Sequence, residues 1–255
     1  MSRNRLNHGI LFVALAAFVM AVTIVSAGPG TRLGVWNYGT GISIIRNMAM
    51  PSMIVAGLAI LSFIASLFTA PKLAPLMFIA AVAAAVAAFV PLKFEQNLAA
   101  NPYIHDITTD FENPPAIAAA ADLPRKNPVA YLGSDPAPNS EITIAEAQRK
   151  YFPDIQPLIV DKKINEAAIN SRTIIDAMKM HILKEGTTHE GAIIEATYTS
   201  FWFGFVDDFI VRIMPKDGKL RIDVRSKSRV GTSDLGANAH RVQDFLKSFS
   251  EKSIR

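Results

Sequence analysis

The chain has 255 residues and a formal net charge of +4 at pH 7, and all of its 22 acidic residues lie after position 92. The first 92 residues carry five basic side chains beside long apolar segments, so the excess positive charge indicates a membrane and not nucleic acid. Because the chain has no cysteine, disulfides, iron–sulfur clusters, thiolate zinc sites and cysteine nucleophiles are excluded.

Three uncharged apolar segments, at residues 9–27, 52–69 and 74–92, dominate the first third of the chain. Each is long enough to cross a hydrocarbon layer of about 30 Å as a helix. Only residues 70–73 separate the second segment from the third, so these two are predicted to form a tight hairpin. Residues 1–92 are therefore interpreted as a membrane region with three spans.

Small residues recur at helical spacing in the second and third spans. Ala80, Ala84 and Ala88 share one face of the third, and Ser62 and Ser66 share one face of the second. This spacing predicts close helix packing, with serine hydroxyls donating across the seam. The spans contain no ionisable residue and no broken helix of the kind that transport usually needs, so we interpret them as an anchor.

An odd number of spans places the two ends of the chain on opposite sides of the membrane. The basic residues flanking the spans are balanced and do not choose an orientation. Val25–Ser26–Ala27 resembles a signal-peptidase site, and removal of the first span would leave a hairpin that still exports the tail. With a cytoplasmic N-terminus, which Arg3, Arg5 and Lys72 favour, three spans place residues 93–255 outside the cytoplasm, as does removal of the first span. Trp36 and Tyr38 are expected at the membrane interface.

Residues 93–255 are predicted to form one α+β domain that begins with an extended connector, 93–140, rich in Pro, Asn and Ala. A first helix is predicted over 141–151, capped by Ser140. Apolar spacing then predicts a second helix over 163–186, with Asp161 as its cap and Gly186 at its end.

After residue 190 the spacing of the apolar residues changes from the helical period to alternation, with a period of two residues. Residues 192–199, 209–214 and 219–230 alternate as strands do, and Asp217–Gly218 is a hairpin-turn signal between the last two. A final amphipathic helix is predicted over 233–250, with Ser233 or Asp234 as its cap. This order predicts a three-stranded or larger antiparallel sheet with helices on one face.

Two adjacent carboxylates, Asp207 and Asp208, follow the aromatic run SFWFGF at 200–205. The apolar face of the strand changes parity between Tyr198 and Phe209, which predicts a break at Gly204. Three interpretations are open: Asp207 accepts backbone hydrogen bonds at the break, the pair serves acid–base or metal chemistry, or Asp207 forms a salt bridge.

The last predicted strand carries a row of like charges on one face. Lys219, Arg221, Arg225, Lys227 and Arg229 share that face with a single anion, Asp223. Such a row is neutralised by neighbours, used to bind an anion or a partner, or simply solvated. Carboxylates available for neutralisation on adjoining segments are Asp106, Asp110, Glu112, Glu195, Asp207 and Asp208.

Other site signals are weak. The five histidines, at positions 8, 105, 181, 189 and 240, show no metal-ligand spacing, and no phosphate-binding loop is present. Ser233 in GTSDLG lies one residue away from nucleophile-elbow spacing, although the amides after Gly231 could hold an anion. We expect no metal and no cofactor.

Three separated motifs carry a family resemblance: NPYIHDITTDFENPPA (101–116), FGFVDD (203–208) and VRSKSRVGTSDLGANAHRV (224–242). Over about residues 100–250 the chain resembles the domain of unknown function 1499, DUF1499, and the first 92 residues lie outside that resemblance. The resemblance implies a small domain exported across a membrane, places IHDITTDFENPP within the domain against the sheet, and implies no reaction. Phe111 departs from the polar residue that the family more often has there. The matching positions are His105, Asp106, Thr108, Thr109, Asp110, Glu112, Asn113, Asp207, Asp208, Arg212, Arg225, Ser226, Arg229, Gly231, Asp234, Gly236, Asn238 and Arg241.

The leading hypothesis is a non-enzymatic module at the outer side of a bacterial inner (plasma) membrane. It would bind a partner protein or an anionic envelope component through Arg225, Arg229 and the turn 231–238, with the lipid bilayer as a further partner. A hydrolase or transferase using Asp207 and Asp208 with His105 is the alternative, and a structural subunit of a membrane complex is a third. The candidate binding residues are His105, Asp106, Asp110, Asp207, Asp208, Arg212, Arg225, Ser226, Arg229, Asp234 and Asn238.

Overall fold

The computed structural model describes residues 3–253, and the side chains of residues 6–251. The chain divides into two compact units. The first comprises residues 1–99 together with Phe201–Gly204, and the second comprises the remaining residues, Ala100–Ser200 and Phe205–Arg255. Arg3 and Arg5, which entered the charge argument above, have side chains outside the described residues.

The first unit is helical. Its elements are α1 (Arg3–Arg32), α2 (Tyr38–Asn47), α3 (Ala49–Thr69) and α4 (Ala74–Ala100), with a 3₁₀ turn at Pro71–Leu73. Three of these stretches are long and apolar enough to cross a membrane: Leu6–Arg32, Ala49–Thr69 and Pro71–Ala100. They contain the three predicted spans and associate the chain with a membrane.

These helices extend further than the sequence pattern predicts. The first continues through the GPG segment to Arg32, and the region between the first two predicted spans holds a further helix at Tyr38–Asn47. The last passes Pro91 and continues to Ala100. Asn37 begins α2 by accepting the amide of Thr40 at 3.0 Å, a capping interaction that the apolar pattern does not reveal.

Small residues fill the interior of the helical unit as predicted. Ala80, Ala84 and Ala88 are buried, and so is Ser66. The expectation of serine hydrogen bonds across the seam is wrong for Ser66, because its hydroxyl donates to the carbonyl of Phe63 in the same helix at 2.6 Å. A hydroxyl satisfied by its own helix leaves the seam to van der Waals packing.

The second unit is an α+β domain with a six-stranded antiparallel sheet. In the sheet β1 pairs with β6, β6 with β5, β5 with β4 and β4 with β3, while β2 also pairs with β6. The strands are β1 (Asp106–Thr108), β2 (Leu158–Val160), β3 (His181–Thr188), β4 (Gly191–Thr199), β5 (Val206–Lys216) and β6 (Lys219–Ser228), and the helices are α5 (Ile144–Tyr151), α6 (Ile164–Ala177) and α7 (Ala237–Ser253).

One face of the sheet packs against helices and holds the main core. Ala196 pairs with Phe209, and Val211 pairs with Val224, so their side chains share that face. Phe209 meets Phe245 of α7 with ring centroids 5.5 Å apart. The connector covers the other face, where Ile117 and Ala120 pack against Ile210 in a smaller cluster.

The sequence pattern was wrong at the second helix, which ends at Ala177 instead of Gly186. Met178 caps it, Lys179 takes a left-handed backbone conformation with φ 57°, and the chain then turns into β3. Residues 181–188 pair with β4, so edge-strand pairing overrides the apparent helical spacing.

Two predicted helix caps also differ. Thr143, and not Ser140, begins α5 through a capping box with Glu146. Lys163, and not Asp161, stands at the start of α6 and makes no side-chain cap. The predicted turn at Asp217–Gly218 is confirmed, with φ values of 50° and 75°.

Candidate functional site

The two adjacent aspartates of β5 point to opposite faces of the sheet. Asp207 pairs with Tyr198 and Ser228, whereas Asp208 pairs with Thr197 and Lys227, in one regular register. Successive residues of a strand alternate between faces. The sheet therefore separates the two carboxylates, and the hypothesis that they act as a pair in hydrolase or transferase chemistry is wrong on geometry.

Asp207 lies on the helix-covered face, beside α7. Its Oδ2 is 2.9 Å from Nη2 of Arg241. The guanidinium carbon of Arg241 also lies over the ring of Tyr198, 4.4 Å from the ring centroid. Of the three interpretations of Asp207, the salt bridge describes the structure. The predicted strand break is confirmed upstream, where β4 ends at Thr199 and Gly204 has φ +72°.

Asp208 lies on the connector-covered face and is shared by two arginines. Nε of Arg229 donates to its Oδ1 at 2.9 Å, and Nη2 of Arg125 donates to its Oδ2. The aspartate is 1% exposed. One buried carboxylate thus pairs with two guanidinium groups and neutralises the charge of only one, which leaves this corner of the sheet with a surplus of positive charge.

Several nitrogen atoms of these two arginines have no acceptor. Among the described residues, the buried Nε and Nη1 of Arg125 and the buried Nη2 of Arg229 lack a hydrogen-bond partner. Nη2 of Arg229 is 2.8 Å from Oδ1 of Asp208, but its hydrogens are not directed at that oxygen. A buried donor without an acceptor is costly, so these nitrogens favour the entry of water or an anion.

Asp106 of β1 holds two further cations of β6. Arg225 binds it in bidentate fashion, with Nε to Oδ1 at 2.9 Å and Nη2 to Oδ2 at 2.8 Å. Lys227 donates to the same Oδ2 at 2.8 Å. The register that pairs Asp106 with Lys227 places all three side chains on the connector-covered face.

The same cations hold the connector onto the sheet. Arg225 donates to the carbonyls of Pro115 and Val129, at 3.1 and 3.0 Å, and Lys227 donates to that of Ala130 at 2.7 Å. Each of the three guanidinium nitrogens of Arg225 therefore has an acceptor. Arg225, expected above to bind a ligand, is committed to the fold, and the resemblance is right that the connector lies against the sheet.

Burial lowers the pKa of two bases near this cluster. Desolvation lowers the pKa of Lys227, and the neighbouring Arg225 and Arg125 lower it further, while Asp106 raises it. Desolvation also lowers the pKa of His105, followed by repulsion from Lys227, against the opposing effects of Asp106, the Thr232 backbone and Asp207. Both shifts indicate a dry region crowded with positive charge.

A second ion cluster lies further along β6 and is balanced. Arg212 and Arg221 both contact Asp110 and Asp223, at 2.9 to 3.1 Å. Arg212 also donates to the carbonyl of Asn113 at 2.8 Å. Two cations face two anions here, so this cluster neutralises itself and fastens the connector.

The turn after β6 is organised by Asp234 and Asn238. Asp234 accepts from the amides of Gly236 and Asn238 at 2.8 and 3.1 Å and so begins α7. Burial raises its pKa to about 6, although the two amides lower it. Asn238 accepts from the hydroxyl of Ser226 and donates to the carbonyl of His105, which joins the helix to β6 and to the start of β1.

The structure brings most of the candidate residues together around β6 but divides them by face. His105, Ser226, Asp207, Asp234 and Asn238 lie on the helix side or at the turn. Asp106, Asp208, Arg225 and Arg229 form one cluster under the connector, and Asp110 and Arg212 belong to the balanced one. Two residues of the site lie outside the predicted set: Arg125, in the irregular segment LPRKNP, and Arg241, which was named only as a position matching the family.

Glu195 behaves differently from the other carboxylates of the buried face. Its Oε2 accepts the amides of Ala118 and Ala119 at 2.9 and 2.8 Å. It therefore neutralises backbone dipoles of the connector and is in no ion pair with Arg125 or Arg229. Across the described residues, no group of three or more His, Cys, Asp or Glu side chains has metal-binding geometry.

Comparison with known proteins gives a family but no activity. A sequence model of the family described as "Protein of unknown function (DUF1499)" matches residues 106–249. The matched segment begins at β1 and ends within α7, so it contains the whole sheet and none of the helices α1 to α4. No curated protein and no solved structure matches the chain.

Proposed function

Because the chain belongs to the DUF1499 family of proteins of unknown function, we propose its function from the site: a membrane-anchored module whose C-terminal domain binds an oxyanion beside Arg229. The domain lies on the periplasmic side of a bacterial inner membrane in this proposal. The oxyanion, a phosphate or a carboxylate, belongs to an envelope component or to a partner protein.

The observation that carries the proposal is that Arg125 and Arg229 share one carboxylate, Asp208. If Arg229 rotates toward a ligand, Asp208 keeps Arg125 and is not left as an unpaired buried charge. A one-to-one pair, such as Asp207 with Arg241, has no such freedom. The surplus arginine is therefore available for binding at a small cost in stability.

Exposed residues next to Arg229 would allow a ligand to reach its side chain from solvent. Lys126 and Thr232 are exposed on either side, and the amides of Lys126 and Asn127 both donate to the carbonyl of Arg229 at 2.9 Å. Guanidinium groups bind phosphate and carboxylate in bidentate geometry, which suits this ligand class.

Thermal denaturation of the full-length chain in nanodiscs tests the binding. A ligand that binds only the folded state raises the melting temperature, and the rise continues with the logarithm of its concentration above the Kd. We expect inorganic phosphate or citrate to raise it more than chloride at the same ionic strength. A higher melting temperature in phosphatidylglycerol nanodiscs than in phosphatidylcholine nanodiscs, with no soluble anion added, would identify the ligand as an anionic lipid headgroup.

Two variants make the test specific. Arg229→Gln should fold, because Arg125 still neutralises Asp208, and should lose the response to the anion. Arg172→Gln is the matched control, since Arg172 is exposed and pairs with Glu185 in the same domain, and it should respond like the wild type. No response in the wild type, or an equal response in Arg229→Gln, would refute the proposal.

A further inference from the structure

The helical unit includes the four residues Phe201–Gly204, which connect β4 to β5. Within this unit, both tryptophans of the chain donate from Nε1 to carbonyls near the end of α1. Trp36 donates to Ala27 at 3.1 Å, and Trp202 donates to Val25 at 3.2 Å. Two indoles thus mark the same end of the first candidate span.

The carbonyl that Trp202 reaches has lost its helical partner. In an α-helix the carbonyl of residue 25 accepts from the amide of residue 29, and residue 29 is a proline inside α1. The indole N–H of Trp202 takes the place of the missing amide. Gly28 provides the room, because a Cβ atom there would collide with the Trp202 ring.

An exposed apolar surface surrounds these indoles. Phe201 is 88% exposed, Leu33 79% and Val35 69%, all within the helical unit. On α1 the surface continues into Val22 and Val25, which are more than half exposed on the candidate span. Large apolar side chains gathered in this way mark an interaction site.

We propose that Phe201 and Trp202, together with Leu33, Val35 and Trp36, form a lipid-binding surface at the boundary between headgroups and acyl chains. The bilayer is the occupant because the surface is continuous with a candidate span. Tryptophan, with an apolar ring and a polar N–H, concentrates at this depth. The exposed Arg32, which donates to the carbonyl of Phe201, suits contact with lipid phosphates.

A nitroxide label on Phe201→Cys measures this directly in the full-length chain in nanodiscs. The chain has no native cysteine, so the label is unique. At a lipid-exposed site, power-saturation EPR gives greater collision with oxygen than with a water-soluble nickel chelate. His189→Cys is the control, because His189 is 92% exposed in the β3–β4 turn, and we expect the reverse ratio there.

Quenching of Trp202 fluorescence is a second measurement, and it leaves Phe201 unchanged. In Trp36→Tyr it is the remaining tryptophan, and its emission should be lost in lipids brominated near the headgroup and resist aqueous iodide. A nickel-accessible label at position 201, or Trp202 emission quenched by iodide and not by bromolipid, would overturn the proposal. Neither reading depends on the oxyanion site, so the two proposals fail separately.

Discussion

Asp207 and Asp208 are neighbours in β5, yet one carboxylate lies 2.9 Å from Arg241 and the other lies 2.8 Å from Arg229 on the opposite face of the sheet. Each aspartate therefore serves a different layer of the domain. Asp207 holds α7, and Asp208 holds the connector through Arg125. The pairing that looks catalytic in the sequence is a consequence of strand geometry.

We expect Asp208→Asn to lower the free energy of unfolding by about 3–5 kcal/mol, because it leaves two buried guanidinium groups without a carboxylate. Arg229→Gln should cost clearly less, since Asp208 retains Arg125. Denaturation of the full-length chain in detergent, followed by circular dichroism, compares the two. Equal losses would contradict the sharing of Asp208 that the binding proposal uses.

The absence of native cysteine permits a direct test of membrane topology. In intact cells, a membrane-impermeant maleimide should label His189→Cys, on the proposed periplasmic side. Lys72→Cys, in the 3₁₀ turn between α3 and α4, is the matched control and should be labelled only after the cells are lysed. The opposite pattern would place the domain in the cytoplasm and contradict the proposed location.

Stability should depend on the protonation of His105. Its folded-state pKa lies below the ordinary value of 6.5, so the unfolded state binds the proton more readily. The contribution of neutral His105 to stability is then fully present above pH 6.5 and is lost as the pH falls through the folded-state pKa. Asp106, Asp207 and Lys227 act on this group.

The test is the pH dependence of the melting temperature in His105→Gln. Between about pH 7 and pH 5, the melting temperature of His105→Gln should fall by less than the melting temperature of the wild type. His189→Gln, which changes an exposed histidine, should keep the wild-type slope. A slope unaltered by His105→Gln would show that other groups govern the acid sensitivity.

The hydrogen bond from Trp202 to Val25 can be isolated by a double-mutant cycle. Trp202→Phe keeps an aromatic ring but removes the N–H, and should destabilise the chain by about 1 kcal/mol or more. In Pro29→Ala the backbone amide of residue 29 is restored and satisfies Val25. The cost of Trp202→Phe should therefore shrink in that background, and an unchanged cost would mean that the N–H contributes nothing.

The mature protein should retain its first span. Val25 and Ala27 lie inside α1, and their carbonyls accept from Trp202 and Trp36, so cleavage after Ala27 would remove the carbonyls that both indoles use. Intact-mass measurement of protein purified from membranes checks this. A mass corresponding to a chain that begins at Gly28 would contradict it and would favour the signal-peptidase alternative.

Composition and periodicity were sufficient for the outline of this fold, because three long apolar runs and alternating strands are strong local signals. They were not sufficient for β3, whose residues 181–188 suit either a helix or an edge strand until β4 provides backbone partners. They also left β1 unrecognised, since three residues carry no period. Its Ile107 lies in the core while Asp106 and Thr108 face the connector.

The candidate site was harder to predict for a related reason. The row of cations on β6 was visible, and its neutralisation by Asp106, Asp110 and Asp208 follows one of the interpretations weighed above. The sharing of Asp208 between Arg125 and Arg229 could not be predicted, because Arg125 lies in an irregular segment 83 residues away from Asp208. Irregular backbone carries no periodic signal, so its partners appear only in three dimensions.

The position of β6 determines when the domain can be completed. Both β1 and β2 add to this one strand, which is made more than a hundred residues after β1. Neither strand can pair until Lys219–Ser228 has been synthesised, and pairing between strands far apart in the sequence is slow. A nascent chain arrested before Lys219 should therefore leave residues 101–160 open to protease, and a domain exported as proposed would cross the membrane with its sheet incomplete.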